Sequence, residues 1–192
     1  KKVRVAAAPK LCDAVTKQMS HLQMGSAQIE LNFEDLPFEQ WNKVGSTKIE
    51  LMYKPSAQMT ARPLRKIASG GEVSRVMLAC KVVLGESDVC DTLVFDEVDA
   101  GVGGATAVAL AEVLAQLAKT HQVIVVTHLP QVAVMASKQY VVSKTEEHNA
   151  LPITSLTEVS GTQREEEIAR MLSGSITEAS LAHAHELLSE VR

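Results

Sequence analysis

The 192-residue sequence contains no G-x-x-x-x-G-K-[ST] phosphate loop, so it does not by itself encode a nucleotide site built around one. No apolar run approaches the roughly 18 residues of a spanning helix, so no membrane span is expected. Cysteine is scarce: Cys12, Cys80 and Cys90 form no C-x-x-C pair and are odd in number. That speaks against a disulfide frame or a zinc site and suits core or neutral surface thiols of a reducing compartment. No secretory signal stands at the start, and the expected location is the cytoplasm. The chain opens KKVRV without methionine, as a fragment or processed product would. A large net charge is missing too. The value of −4 neither announces nor excludes a nucleic-acid binder, because the placement of charge decides.

What is present suits one ordinary globular domain or a lobe of a larger one: 46% of residues are hydrophobic. At this length roughly 70% of the unfolded surface can be buried. The charge is unevenly spread. Arg62, Arg65, Lys66, Arg75 and Lys81 stand against Glu72 alone, a local balance of +4. From Glu158 onward seven acids (Glu158, Glu165, Glu166, Glu167, Glu178, Glu186, Glu190) face Arg164, Arg170 and Arg192, a pattern of solvated helix faces.

Leu11, Val15, Met19 and Leu22 recur at helical spacing, which predicts an amphipathic helix over 10–24 with Pro9 limiting its backward continuation and Gly25–Ser26 ending it. AQIELNF and STKIELMY alternate with period two and predict two half-exposed strands, paired antiparallel. A helix from about Glu72 to Leu84 is apolar on almost every side and is expected to be well buried. The strand TLVF, the helix GGATAVALAEVLAQLAKT and the strand QVIVVTH form a βαβ unit, whose unalternating strands are expected to be covered on both faces. Parallel strands would bring Asp96 and Glu97, at the end of the first, to the sheet edge that carries Thr127 and His128 at the end of the second. QYVVSK is a candidate further strand, and REEEIARMLSG and TEASLAHAHELLSEV read as two helices.

Four features carry chemistry. Ser69-Gly70-Gly71-Glu72 is a capping box by pattern, with Ser69 on the helix amide and Glu72 returning to the cap. The same geometry exposes backbone N–H groups at a helix N-terminus, where an anion such as phosphate can dock. Asp96-Glu97 directly after an apolar strand matches the Walker B pattern, in which the aspartate holds Mg²⁺ through water and the glutamate activates the attacking water. The other reading makes Asp96 a turn cap and Glu97 plain surface. Gly101-Val102-Gly103-Gly104 invites a dinucleotide reading, but Thr106 occupies the last glycine position of G-x-G-x-x-G, so a turn opening the next helix is expected. His128 is either structural or a hydrogen-bond donor to a terminal phosphate.

In this order the features resemble the C-terminal half of an ABC-type ATPase head: signature ASGGE, Walker B LVFDE, D-loop Asp99 and switch histidine His128. IASGGEVSR, FDEVDAGVGG, THLPQVA and EIARMLSG are similar to the SMC-like ATPases of bacterial DNA repair. The 64–144 stretch is the most specific part. The resemblance implies an α/β fold, mainly a parallel sheet with flanking helices, forming the C-terminal lobe of a P-loop NTPase head over 25–192. Residues 1–24 would be the foot of a coiled-coil arm, with the Walker A loop supplied by an N-terminal half. It further implies ATP and Mg²⁺ as cofactors and a homodimer of heads sandwiching ATP. In that dimer Asp96, Glu97 and His128 of one head face Ser69, Gly70, Gly71 and Glu72 of the other. DNA, as double-strand ends or single strands, is the implied further partner in double-strand break repair and recombination at the nucleoid. Ala68 departs from the leucine common before S-G-G, which leaves backbone contacts to phosphate untouched. Two rivals share the fold. A transporter ATPase subunit would carry a glutamine-rich signature and DEP in place of DEVDAG, and a non-hydrolysing scaffold would not need Asp96, Glu97 and His128.

Overall fold

The computed structural model describes residues 1–87, 90–145 and 153–191, which divide into two compact units, Lys1–Val126 and Thr127–Arg192.

The first unit begins with α1 (Lys2–His21), which runs through Pro9 instead of starting after it. A proline inside a helix removes one ladder hydrogen bond and crowds the preceding turn. Here the buried stripe Ala8, Val15 and Met19 lies on both sides of Pro9, so packing extends the helix past the local penalty. Its end also differs from the sequence reading. Gln23 takes the left-handed conformation (φ 57°), its N–H donating to Ser20 O, while Met24 N–H donates to Met19 O. That is a Schellman ending, closed two residues before Gly25.

Strands β1 (Gln28–Asp35) and β2 (Thr47–Lys54) pair antiparallel from Gln28↔Lys54 to Asp35↔Thr47, as the alternation predicts, and β3 (Arg62–Pro63) joins the far side of β2. The pair Ile29↔Tyr53 faces the core at 4% and 2% exposure. Helix α1 packs on β1, with the Thr16 hydroxyl accepting from Ile29 N–H at 3.3 Å. It also packs on α2 (Gly70–Leu84). The expected burial of α2 on all sides is realised on one face only. Gly71, Val76, Leu78 and Ala79 are buried, whereas Met77 is 41% exposed.

Strands β4 (Thr92–Phe95) and β5 (Gln122–Val125) pair parallel across the α3 crossover (Ala105–Leu117), in register Phe95↔Val125. Leu93 and Phe95 are buried, along with Leu110, Ala111, Leu114 and Leu117 of α3. The alternate side chains are not: Val94 is 65% exposed and Ile124 47%. Coverage on both faces is therefore not met among the described residues, and the β4–β5 sheet has only two strands there.

In the second unit α4 (Pro130–Ala133), α5 (Gly161–Ser173) and α6 (Glu178–Glu190) gather around Ala133, Val134, Ile168, Ala169 and Ala184. Strand β6 (Gln139–Thr145) pairs antiparallel with β7 (Ile153–Val159), a strand the sequence reading missed. Arg164 secures α4. Its Nη2 donates to the carbonyls of Ala133, Val134 and Ala136 at 2.7 to 3.1 Å, and its Nε to Gln139 Oε1.

Candidate functional site

Helix α2 and strand β4 set the site's frame. Because α2 leads into β4 by a short connection, the helix begins beside the point where the strand ends. Ser69 caps the helix, its hydroxyl accepting from Glu72 N–H at 3.3 Å. The other half of the capping box is not formed. Glu72 Oε1 instead accepts from the Tyr53 hydroxyl at 3.2 Å. The phenol is only 2% exposed, and a buried hydroxyl needs an acceptor more than an exposed cap amide does. Burial, reinforced by the Glu72 carboxylate, pushes the Tyr53 phenol up to about 12.

Asp96 and Glu97 follow β4 at an exposed edge. Glu97 sits in the left-handed region at φ 57°, uncommon for a residue with a side chain. The loop then turns tightly, Ala100 N–H donating to Glu97 O and Val102 N–H to Asp99 O. Two residues of α2 grip it. Ser74 Oγ donates to Asp96 O at 2.8 Å, and Arg75 Nη1 donates to Val98 O at 3.2 Å and Ala100 O at 2.8 Å. The two glycines allow this approach. A Cβ on Gly70 would stand 2.0 Å from Glu97 Oε2, and one on Gly71 would stand 3.0 Å from Ala100 O. The glycine pair is thus explained by close packing against the acid loop.

Asp99, the third acid, is buried at 3% exposure and acts electrostatically on Arg75. Burial lowers the Arg75 guanidinium, while Glu72, Tyr53 and Asp99 oppose that shift. The basic cluster around SGGE is thus less free than its charge count implies. Arg75 turns to the loop, and Arg65 Nε holds Glu50 Oε1 at 2.6 Å, which keeps the Glu50 carboxyl below its ordinary range.

The Asp96 carboxylate has no hydrogen-bond or ion-pair partner among the described residues, its residue being held through the backbone carbonyl. Among those residues no group of three or more His, Cys, Asp or Glu gathers. A single free carboxylate fits Mg²⁺, which keeps several waters and takes its other oxygens from phosphates, and does not fit an all-protein cage. His128 lies in the exposed turn between β5 and α4, in the second unit. Gly101 (φ 73°) and Gly104 (φ 53°) form the turn into α3 expected in place of a dinucleotide loop. Sequence reasoning missed Ser74 and Tyr53, and read Arg75 only as part of the basic cluster, not as a grip on the acid loop. Arg75 stands three residues beyond Glu72, a same-face spacing that flags it, whereas nothing local marks Tyr53.

The α/β fold is shared with SMC head domains and is consistent with the C-terminal lobe of such a head. The head of Pyrococcus yayanosii Smc, solved with its coiled coil and joint, matches 98% of this chain and 30% of its own at TM-score 0.56 and 18% identity. A chain from a study of ATP-driven dimerization and DNA-stimulated activation of SMC ATPases matches over 100% of this chain and 96% of its own, at TM-score 0.50 and 19% identity. In sequence the chain corresponds to the C-terminal part of the DNA repair protein RecN. It is 40% identical to RecN of Streptomyces coelicolor over 98% of its length and 43% identical to that of Deinococcus radiodurans over 93%. The RecN of Treponema pallidum is 48% identical over 75% of the chain. The chain spans a quarter to about a third of the length of these relatives, 35% of the first and 25% of the Treponema protein. No family model matches it. Among the described residues no helix is long and apolar enough to cross a membrane.

Proposed function

We propose that this chain is the C-terminal lobe of an ATP-hydrolysing head that works in bacterial DNA double-strand break repair and recombination. The observation that carries this reading is the junction of α2 with the acid loop. A serine-capped, glycine-opened helix start adjoins a strand end bearing a free Asp96 and an exposed Glu97. The likeness to RecN and to SMC heads supports it. Residues 1–24 are then the foot of a coiled-coil arm, and an N-terminal half of the same head supplies the Walker A loop. The partners are a second head, engaged through sandwiched ATP, and DNA as ends or single strands. The site of action is the cytoplasm at the nucleoid.

Residue roles follow from chemistry. Asp96 holds Mg²⁺ through water, where the metal offsets phosphate charge. Glu97, exposed and one residue further on, accepts the proton of the attacking water. Ser69, Gly70, Gly71 and Glu72 present the α2 N-terminus to the terminal phosphate bound on the opposite head, where helix-end N–H groups favour negative charge. Asp99 shapes the loop between the two, and His128 donates a hydrogen bond to the terminal phosphate bound on its own head.

The test is Mg²⁺-dependent ATP hydrolysis by the protein carrying both halves. Glu97→Gln should retain ATP binding and lose hydrolysis by roughly 100-fold or more, within the range for a general base. Ser69→Arg should bind ATP and fail to form ATP-dependent dimers. An unchanged kcat in the first variant would remove Glu97 as the base. Normal dimers in the second would count against a composite site.

A further inference from the structure

We propose that Arg75 is a positioning residue for ATP hydrolysis, locking the start of α2 and the acid loop into one unit so that Glu97 and the signature turn move together. This rests on the reading of Glu97 and Ser69–Glu72 given above.

The loop from Asp96 to Ala100 needs holding. Its Glu97 occupies a left-handed backbone region that strains a side-chain-bearing residue. Such a conformation persists only when its surroundings over-determine it. Arg75 supplies that constraint through one guanidinium nitrogen, donating to the carbonyls of Val98 and Ala100. These carbonyls bracket Asp99, which is buried and interacts with the same guanidinium. Ser74 holds the opposite end at the Asp96 carbonyl. The helix therefore fixes the loop at three carbonyls, and Glu97 lies between the two grips.

Arg75 is itself located from the far side. Its charge faces Glu72, whose carboxylate accepts from Tyr53, and Tyr53 is anchored in β2. A line of polar groups thus runs from the β1–β2–β3 sheet, on which α1 packs, through Tyr53 and Glu72, across a purely electrostatic step to Arg75, and on to the Val98–Ala100 carbonyls. Gly71 leaves only 2.9 Å between its would-be Cβ and that of Ala100, so the two segments have little room to slide past each other. A shift of the sheet would move the loop, and with it the Glu97 carboxylate that must meet the attacking water. Displacements of about 1 Å at a reacting group suffice to cost on the order of 100-fold in rate.

The experiment compares Arg75→Met, Arg75→Lys and Glu97→Gln in the full-length protein, reading ATP affinity, kcat, KM and thermal midpoint. Methionine keeps an apolar stem and loses all donors, and lysine keeps charge but reaches one carbonyl at a time. For Arg75→Met the expected result is a KM within about twofold of wild type and a kcat lower by roughly 10- to 100-fold. Lysine should restore part of kcat without changing KM. A merely structural role would lower the thermal midpoint of both variants and leave kcat per folded molecule unchanged. That outcome overturns the proposal, as does a wild-type kcat in Arg75→Met with Glu97→Gln inactive. If Glu97→Gln is itself fully active, the reading of the site fails first, whatever Arg75 does. Should Arg75→Met not fold, Arg75→Lys carries the same kcat-against-KM comparison.

Discussion

The Glu97 carboxylate fills the space beside Gly70 that a side chain would need, its Oε2 lying 2.0 Å and its Cδ 3.3 Å from where a Cβ would stand. The next glycine meets something harder, the Ala100 Cβ at 2.9 Å and the Ala100 carbonyl at 3.0 Å. These neighbours predict opposite consequences for the same substitution. Gly70→Ala pushes on the far end of a flexible, exposed side chain, and helix propensity favours alanine by up to about 1 kcal/mol. Its stability should be unchanged or slightly raised while hydrolysis falls, because Glu97 must swing away. Gly71→Ala pushes on backbone and should lose about 1–3 kcal/mol through overpacking. Denaturant titration of the two variants beside an ATPase assay checks the contrast. Equal stability losses would mean the loop yields as easily as the Glu97 side chain.

Tyr53 gives a pH-dependent expectation. Its phenol is raised to about 12 by burial first and by Glu72 second, above the ordinary value of about 10. Below pH 10 the phenol is protonated in both states and its contribution is complete. Between pH 10 and 12 the unfolded chain releases the proton and the folded chain does not, so stability falls across that window. Tyr53→Phe should flatten the fall, at a cost near neutral pH of about 0.5–1.5 kcal/mol for the lost hydrogen bond. Urea midpoints measured from pH 8 to 11.5 decide it, and parallel slopes in both proteins would place the titrating group elsewhere.

Much of this arrangement was legible in the sequence. Period-two alternation marks β1 and β2, apolar runs mark β4 and β5, and TLVF-Asp-Glu marks the acid edge. What stayed hidden has a common cause, since it depends on residues distant in the chain. Pro9 reads as a helix boundary locally, yet tertiary packing of Ala8 carries α1 past it. Glu72 fits a capping box locally, yet Tyr53, 19 residues upstream, takes its carboxylate. Val94 reads as doubly covered, yet what would cover it is not among the described residues of this chain. The glycines of SGGE looked like an anion cradle, and their packing against the acid loop follows only from the fold.

Arg164 bears on the second unit alone. Its guanidinium satisfies three carbonyls at the end of α4 as well as Gln139. Arg164→Ala strands these partly buried acceptors, and each unsatisfied group costs about 1–3 kcal/mol, partly recovered by water. The expected loss is roughly 2–3 kcal/mol, confined to Thr127–Arg192. Amide hydrogen exchange should quicken there and stay unchanged in Lys1–Val126. Uniform acceleration across both units would show that they unfold as one.

The open face of β4–β5 yields the last expectation. Val94, Ile124 and Val126, at 65%, 47% and 57% exposure, form an apolar surface on a two-stranded sheet. Two strands are marginal alone, and unpaired strand edges recruit further strands. In the proposed head the N-terminal half, absent from this chain, covers this surface. Each valine or isoleucine fully buried there contributes about 1.5–3 kcal/mol to association. Val94→Lys combined with Ile124→Lys should therefore abolish co-purification with that half, and should also reduce self-association of the isolated chain. The substitutions touch neither Asp96 nor the α2 N-terminus, so loss of ATPase activity in the mixture would follow from lost assembly. Undiminished co-purification of the double variant would show that the two halves meet elsewhere and that this face serves another contact.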